Sequence, residues 1–285
     1  MTAIETRAEA ADEPAAEAAA EAVAEPLSPA QWLKRHPNVI RAVSVIAFFI
    51  FWEFAARGMN PLFMSYPSAI YSAAIEIIES GDLGSAMIES AVPLFIGLAI
   101  SIVGGILIGV LIAQFWVVEY ILDPFLNALY AIPRVALVPL IILWAGLETG
   151  GKVTILVSIA IFPVIFNTYS GIKDVRGSLL EIGRAYCATS LQMFVRIVIP
   201  AAIPYIMAGV RLSVGLAIIG MVVAEFFTAI SGLGGLIVKY ANSFATAKLF
   251  VPVIMIAVLG VALTELVQFL ERRFSRWRIL ERERF

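Results

Sequence analysis

One stretch decides how this chain is organised: Gly177–Pro200, with the sequence GSLLEIGRAYCATSLQMFVRIVIP. It is polar, yet long apolar runs precede and follow it. Ser178 with Glu181, and Thr189 with Gln192, each fit the S/T-x-x-E/Q box, in which two side chains reciprocally cap a helix start. The stretch therefore predicts two short helices that meet at an angle outside the bilayer. Their apolar side chains pack either on the protein's own helix ends or on a partner.

The composition places most of the chain in lipid. Of its 285 residues, 61% are hydrophobic and 15% are charged, and the mean hydropathy is +0.92. No soluble domain of this size is so apolar. The single histidine, His36, and the single cysteine, Cys187, fall in different segments, so we expect no disulfide, metal site or Cys–His catalytic pair. The net charge of −2 gives no indication of nucleic-acid binding, and we expect no nucleic-acid partner.

The N-terminal residues 1–30 are rich in Ala, Glu and Pro. Such a segment cannot bury enough apolar surface to offset its ordering entropy, so we predict a disordered tail. Lys34, Arg35 and Arg41 then precede the apolar run 42–52. This order predicts an uncleaved first span with a cytoplasmic N-terminus. The remaining chain, 31–285, is predicted to form one membrane domain.

The apolar segments predict an all-α, polytopic membrane protein with about six transmembrane helices. After the first span and an external segment with a short helix at 68–78, the predicted spans are 91–118, 121–146, 153–169, 205–227 and 249–270. Between the last two, Gly232, Gly234 and Gly235 predict a tight bend. The span 91–118 carries a small residue at every fourth position: Gly97, Ser101, Gly105 and Gly109. We interpret this stripe as generic close packing between helices.

The span 121–146 contains three prolines, Pro124, Pro133 and Pro139, which predict a kinked or broken helix. Arg134 lies close to its middle. An arginine inside a membrane is costly and normally faces a polar cavity or a partner. Two interpretations stay open: Arg134 lines a route for an anionic or polar solute, or it snorkels and pairs structurally.

The segment Gly146–Lys152, GLETGGK, matches most of a phosphate-binding loop. We reject a nucleotide site there, because Val153 stands where Ser or Thr would bind magnesium and no strand precedes it. We interpret the segment as a connecting loop at the outer membrane face. No other segment could hold ATP phosphates, so we expect neither nucleotide hydrolysis nor a cofactor in this chain.

Cationic residues are distributed unequally between the two sides of the membrane, which predicts the orientation. The side of Gly177–Pro200 collects Lys34, Arg35, Arg41, Lys173, Arg176, Arg184, Arg196 and six arginines after residue 271. The opposite loops hold only Arg57, Lys152, Lys239 and Lys248. Both termini and Gly177–Pro200 are therefore predicted to be cytoplasmic, which requires an even number of spans.

The polar stretch Gly177–Pro200 resembles a segment of a known protein family. Its residues Glu181-Ile-Gly-Arg184-Ala-Tyr-Cys187-Ala188-Thr189, followed by Ile197-Val-Ile-Pro200, look like the EAA loop of ABC importer permeases. That loop reads E-A-A-x-x-x-G, then a spacer, then I-x-L-P. The resemblance runs from about Ser68 to Trp277 and includes Asp123-Pro124, Ile132-Pro133-Arg134, Asn167-Thr168, Ala224-Glu225 and Gly232-Leu-Gly234. The set is similar to the binding-protein-dependent permeases for nitrate, sulfonate and taurine.

Several positions depart from the family pattern. Ile182 and Gly183 stand in place of the two alanines, and Pro93 stands where the branch often has arginine. Cys187 replaces the loop glycine. Because cysteine takes a positive φ less readily than glycine, we leave open that the turn shifts to neighbouring small residues.

The resemblance implies a type I ABC importer permease fold in the bacterial cytoplasmic (inner) membrane, with 177–200 as the cytoplasmic coupling loop. It implies membrane lipid, a second permease copy in a homodimer, two cytoplasmic ABC ATPase subunits and an external solute-binding protein as partners. ATP and magnesium would be bound by the ATPase. The implied ATPase-coupling residues are Glu181, Arg184, Cys187, Ala188, Thr189 and Pro200. The candidate residues of the translocation pathway are Asn127, Arg134, Asn167, Arg211 and Glu225.

The function that follows is import of a small anion or polar organic solute such as nitrate, sulfonate or taurine, by a transport subunit that is not itself an enzyme. The alternative is a secondary transporter driven by an ion gradient. Such a carrier would need acidic residues at mid-membrane or a repeated half with broken helices. Glu53, Glu225 and Glu265 lie nearer the ends of their spans, and the sequence shows no convincing repeat.

Overall fold

The structure is a computed structural model that describes residues 37–228 and 231–274. The predicted disordered tail, 1–30, and the arginines beyond residue 274 lie outside the described residues. Within the described ranges the regular secondary structure is helical, without a strand.

The helices, in chain order, are α1 (Pro37–Arg57), α2 (Pro67–Glu79), α3 (Asp82–Gln114), α4 (Trp116–Ala131), α5 (Val138–Ala145), α6 (Thr149–Lys173), α7 (Gly177–Ala185), α8 (Ser190–Met193), α9 (Ile199–Phe227), α10 (Gly232–Asn242) and α11 (Thr246–Phe274). A 3-10 turn, Arg134–Leu137, precedes α5, and a π-helical turn, Phe194–Val198, joins α8 to α9.

Among the described residues, five helical segments are long and apolar enough to cross a membrane: α1, α3, α6, the continuous segment Ser190–Phe227, and α11. A sixth consists of α4 and the segment Arg134–Ala145, which meet at 92°. Pro133 lies at this bend and has no N–H with which to continue α4. The broken span predicted from the prolines is therefore confirmed, as is the all-α membrane fold with about six spans.

The chain divides into two compact units, residues 1–58 and 59–285. Of the first unit the structure describes α1, which exposes most of its apolar side chains. Its rings of Phe48, Phe49 and Trp52 contact one another with centroids 5.7 to 6.1 Å apart. A helix that is apolar on all sides is typical of a membrane span.

The second unit is built around α6, which packs most extensively on α9 and on α3. The stripe of small residues on α3 faces α6. A Cβ added to Gly105 would lie 2.6 Å from the Cβ of Val164, and one added to Gly109 would lie 2.7 Å from that of Thr168. The stripe therefore allows the two backbones to approach closely, as predicted.

The main apolar core lies where α3, α6, α9 and α11 meet, and its fully buried side chains include Leu94, Leu156 and Val214. The helix α10 packs against α11, α3 and α9, and α2 packs against α11. The long helix α9 begins next to α8 and ends next to α10. The end of this unit that contains α7 and α8 is called the elbow end. The opposite end is called the α10 end.

Three sequence-based boundaries are wrong. The connection predicted at 146–152 is short, because α6 begins at Thr149 and Lys152 lies buried in its first turn. The tight bend is confirmed at Gly232, which has φ of +73°, but its bounds are wrong, because Gly232, Gly234 and Gly235 already form the first turn of α10. The second span begins at Asp82 instead of residue 91. The reason is tertiary: polar side chains in these segments find partners on other helices, which local sequence does not show.

Candidate functional site

The segment Gly177–Pro200, called the elbow, turns sharply between α7 and α8. The amide of Ala188 donates to the carbonyl of Gly183 at 3.0 Å, and the amide of Cys187 donates to the carbonyl of Arg184 at 2.9 Å. These two bonds form a Schellman motif, which places the residue after the helix in the left-handed region. That residue is Cys187, with φ of +53°. The turn therefore stays where the family has glycine and does not shift to a neighbour.

Of the two predicted capping boxes, the structure forms one. The amide of Gln192 donates to Thr189 Oγ1 at 3.3 Å, and the amide of Thr189 donates to Gln192 Oε1 at 3.0 Å, so the second box is confirmed. The box of Ser178 and Glu181 is wrong, because α7 begins earlier and its N-cap is Arg176, without a side-chain cap. Glu181 therefore lies inside α7 and does not cap it.

The second arm of the elbow is continuous with a membrane span. The amide of Ile199 donates to the carbonyl of Phe194, five residues earlier, so the chain passes from α8 to α9 through a π-helical turn. Pro200 follows directly and has no N–H to donate to the preceding turn, so the helix continues past it without that hydrogen bond. The first arm, α7, follows α6 after only residues 174–176. The elbow thus joins the ends of the two helices that pack most extensively on each other.

The elbow is exposed, although it carries large apolar side chains. Glu181 and Arg184 are exposed on α7 and form no ion pair with a described residue. The exposed apolar residues of the elbow are Leu179, Ile182, Tyr186, Leu191 and Val195, with Tyr186 85% exposed. Clustered apolar side chains of this size indicate a surface that contacts another molecule.

The structure does not bring the five pathway candidates together. Arg211 of α9 forms an ion pair with Glu271 of α11. Asn127 donates to Asp123 Oδ1 at 2.9 Å along α4. Asn167 donates to the carbonyl of Pro163 at 2.8 Å and lies at the contact between α6 and α9.

Arg134 lies at the break between α4 and α5, half-buried. Its guanidinium carbon lies 4.4 Å from the ring centroid of Phe162 and 5.2 Å from that of Tyr130. Its Nη1 donates to the carbonyl of Ile159 at 3.4 Å, whereas Nε and Nη2 are buried without a hydrogen-bond partner in the part of the chain that the structure describes. Among the described residues, Arg134 therefore has no ion-pair partner, and its hydrogen bond is to a backbone carbonyl.

Glu225, at the α10 end, is almost fully buried and accepts a hydrogen bond from a backbone amide at the start of α10. Its Oε1 accepts from Ser90 Oγ at 2.5 Å, and its Oε2 accepts from the amide of Gly234 at 2.7 Å. Ser90 Oγ also accepts from the amide of Leu233, and Glu89 Oε2 accepts from the amide of Gly232, both at 2.8 Å. The first three amides of α10, which no helix can satisfy internally, thus bind side chains from α3 and α9.

Two further polar contacts surround this helix start. Lys152 Nζ of α6 donates to Ser231 Oγ at 2.6 Å, and Lys239 of α10 pairs with Asp82 of α3 at 3.1 Å. A cavity of about 180 Å³, lined by Asp82, Glu89, Ser231 and Lys239 among others, opens beside them. Sequence reasoning singled out Glu225 but missed its partner Ser90 and the nearby contacts of Glu89 with Gly232 and of Lys152 with Ser231. The proximity of Ala224-Glu225 to Gly232-Leu-Gly234 was the available signal.

A second polar cluster, also missed from the sequence, ties α4 to α6 at the elbow end. Glu119 Oε1 accepts from the hydroxyl of Tyr169, and Glu119 Oε2 accepts from Lys173 Nζ, both at 2.6 Å. Because Lys173 ends α6 just before the elbow, this bracket connects the broken span to the first arm. Within the described ranges, no group of three or more His, Cys, Asp or Glu side chains is placed to hold a metal.

Comparison with known proteins identifies a family that this chain matches. Residues 105–276, more than half of the chain, match the family model described as "Binding-protein-dependent transport system inner membrane component". A permease protein named for aliphatic sulfonates transport, SsuC of Bacillus subtilis (strain 168), is 36% identical over 71% of this chain and 74% of its own. The formylaminopyrimidine transport permease protein ThiX of Halalkalibacterium halodurans is 33% identical over 82% of this chain and 93% of its own.

Solved structures show the same fold at lower sequence identity. An inward-facing MetNI methionine ABC transporter chain aligns with a TM-score of 0.55 and 20% identity, over 70% of this chain and 96% of that one. A chain from the crystal structure of an amino acid ABC transporter with histidines aligns with a TM-score of 0.53 and 19% identity, over the same shares. The chain therefore belongs to the binding-protein-dependent transport system inner membrane component family, the membrane-spanning permease subunits of ABC importers.

Proposed function

We propose that this permease takes up its solute by coupling to a separate ATPase through the elbow, 177–200. The observation that carries this proposal is the exposed apolar surface around Tyr186, on two arms that continue into α6 and α9. Movement of a bound partner at the elbow would displace the ends of the two central helices together. Packed helices transmit such a displacement as rigid bodies rather than absorbing it.

The assembly that this mechanism requires contains two copies of the permease, two cytoplasmic ATPase subunits that bind ATP and magnesium, and an external solute-binding protein. The family to which the chain belongs is named for its dependence on a binding protein. Both termini and the elbow would face the cytoplasm, as the distribution of cationic residues predicts. Arg184 would contact the ATPase, and Cys187, Ala188 and Thr189 would form the turn at the contact.

The cargo that we propose is a small anion or polar organic solute, such as nitrate, a sulfonate or taurine. Two relatives are named for aliphatic sulfonates, from Bacillus subtilis and Escherichia coli, at 36% and 35% identity. A cationic side chain at the break of a span, Arg134, supports an anionic solute. Other relatives are named for formylaminopyrimidine and riboflavin, so similarity alone does not identify the cargo. An uptake assay with labelled taurine, an alkanesulfonate and nitrate tests whether the cargo is one of the proposed anions.

The coupling is tested by reconstituting the full chain with its co-expressed ATPase and binding protein in proteoliposomes. We expect uptake only when ATP is supplied to the ATPase side. Uptake by the chain alone, driven by a proton or sodium gradient, would instead establish the secondary transporter.

The elbow is tested by Tyr186→Asp. A carboxylate in the apolar contact should reduce both co-purification of the ATPase and ATP-driven uptake, while the chain still inserts. Tyr71→Asp is the matched control, because Tyr71 of α2 is 71% exposed and lies at the α10 end. Retention of the ATPase by Tyr186→Asp would count against docking at the elbow.

A further inference from the structure

We propose that Arg134 recognises the transported anion, by presenting the Nε and Nη2 edge of its guanidinium to two oxygens of a small oxyanion. This inference rests on the proposed anion transport and names the side chain and the atoms that would serve it.

The position of Arg134 suits a binding role. It opens the 3-10 turn that follows Pro133, at the point where α4 and the segment Arg134–Ala145 meet at 92°. Non-helical backbone at membrane depth is tolerated where it is buried in protein or lines a water-filled cavity. Transporters place substrate sites at such interruptions, because a broken helix turns side chains and backbone groups toward the solute.

The guanidinium is held by three contacts, none of which involves its Nε and Nη2 edge. Its carbon lies 4.4 Å from the ring centroid of Phe162 and 5.2 Å from that of Tyr130, so two aromatic rings restrict the side chain. Nη1 reaches the carbonyl of Ile159 on α6. The opposite edge consists of Nε and Nη2, and neither atom has a hydrogen-bond partner in residues 37–228 or 231–274.

An unpaired edge of a cation inside a membrane protein needs an explanation. Buried N–H groups are paired in the great majority of cases, and intramembrane arginines pair with carboxylates or carbonyls. Arg211 also has a buried Nε without a hydrogen-bond partner among the described residues, but its charge is neutralised by an ion pair with Glu271. No described carboxylate pairs with Arg134, so part of its charge is left for a ligand to neutralise.

The chemistry of the free edge selects the ligand class. Nε–H and Nη2–H point in parallel, and this fork matches two coplanar oxygens of a carboxylate, nitrate or sulfonate. A halide can accept from the fork but cannot occupy both positions with separate atoms. The expected ligand is therefore an oxyanion rather than any anion.

The two atoms are shielded in this conformation, so binding requires movement. The helix that ends at the break, α4, contains no buried residue and is tied to α6 by the polar bracket at Glu119 and by the ring contacts of Tyr130. Displacing such a helix disrupts little core packing. The structure thus corresponds to a state in which the edge is closed, and a shift of α4 would open it.

The test is thermal unfolding of the full chain in nanodiscs, with ethanesulfonate or nitrate titrated against sodium chloride at equal ionic strength. We expect both oxyanions to raise the melting temperature more than chloride does. Arg134→Lys keeps the charge but loses the fork, so its half-saturating oxyanion concentration should rise about tenfold. Arg57→Lys, the same change at an exposed arginine of α1, should titrate like the unaltered chain.

Arg134→Met separates recognition from a structural role. Removing an incompletely paired buried charge should leave the ligand-free chain at least as stable, while the response to both oxyanions disappears. A response that survives in Arg134→Lys and Arg134→Met at unaltered concentration would overturn the inference, as would equal stabilisation by chloride.

The same variants in ATP-driven uptake distinguish this inference from the proposed function. Unaltered uptake of an oxyanion by Arg134→Lys would overturn recognition by Arg134 and leave the coupling intact. Oxyanion stabilisation that depends on Arg134, without ATP-driven uptake by the reconstituted complex, would instead overturn the coupling.

Discussion

Gly183 of α7 lies against Met193 of α8, so closely that a Cβ on Gly183 would stand 2.6 Å from the Met193 sulfur. It would also stand 2.7 Å from Cδ1 of Ile197. The two arms of the elbow therefore meet where even a Cβ requires the ends of Met193 and Ile197 to move. Together with the turn at Cys187, this contact sets the angle between the arms.

Replacing Gly183 by leucine should open that angle. Alanine would displace only the flexible ends of Met193 and Ile197, so Gly183→Ala should keep ATP-driven uptake, whereas leucine must push the arms apart. We expect Gly183→Leu to lower ATP-driven uptake and ATPase co-purification severalfold. The control is Gly84→Leu, because a Cβ at Gly84 meets open space at the α10 end. Equal uptake by both leucine variants would show that the elbow angle is unimportant.

The left-handed backbone at Cys187 predicts a stabilising substitution. A side chain in the left-handed region costs on the order of 1 kcal/mol, which glycine avoids. Glycine also loses more backbone entropy on folding, so the net gain from the substitution is smaller. Cys187→Gly should therefore raise the free energy of unfolding by about 0.5 kcal/mol, seen as a higher melting temperature in detergent. Ala185→Gly, within α7, should have the opposite sign. A lower melting temperature for Cys187→Gly would contradict the strain.

Much of the fold was predictable because lipid imposes length and polarity on each span. The apolar runs located the membrane helices, and the three prolines predicted a broken span, although only the structure shows that the break lies at Pro133. The capping box of Thr189 and Gln192 was predictable for a related reason: its two bonds join residues three positions apart. Ser178 fits the same pattern and fails, because the helix can start earlier at Gly177 and no local signal forbids it.

The polar clusters were not predictable, because they join residues far apart in the chain. Glu225 contacts Ser90, 135 positions away, and Glu119 contacts Lys173, 54 positions away. Each residue alone reads as a charge near the end of a span. Only the packing of α3, α9 and α10 shows that Glu225 completes a helix start.

The bracket between α4 and α6 predicts a charge-reversal rescue. Glu119→Lys places a cation beside Lys173, so it should lower both the melting temperature and uptake, and Lys173→Glu should act similarly through repulsion of the two carboxylates. The double variant restores an ion pair and should recover part of both losses. Recovery stays incomplete, because the ammonium introduced by Glu119→Lys cannot accept a hydrogen bond from the hydroxyl of Tyr169.

The control for this rescue is the pair of Asp82 and Lys239, whose side chains are 44% and 57% exposed. Reversing either of those charges should change the melting temperature little, since exposed ion pairs contribute little to stability. Additive losses in the Glu119 and Lys173 double variant would show that the two residues do not act as a pair.

The buried carboxylate of Glu225 predicts a loss of stability that spreads to α10. In Glu225→Gln the amide oxygen can still accept from Gly234, but the amide nitrogen turns a donor toward Ser90 Oγ, whose own hydroxyl proton then loses its acceptor. An unsatisfied buried group of this kind costs about 1–3 kcal/mol. Glu265→Gln is the matched control, because Glu265 is exposed and its ion pair with Arg272 is long, at 3.8 Å. This change should shift the free energy of unfolding by less than about 0.5 kcal/mol. Hydrogen exchange should show faster exchange at the amides of Gly232–Gly234 in Glu225→Gln alone, and unchanged protection there would show that the carboxylate does not hold the start of α10.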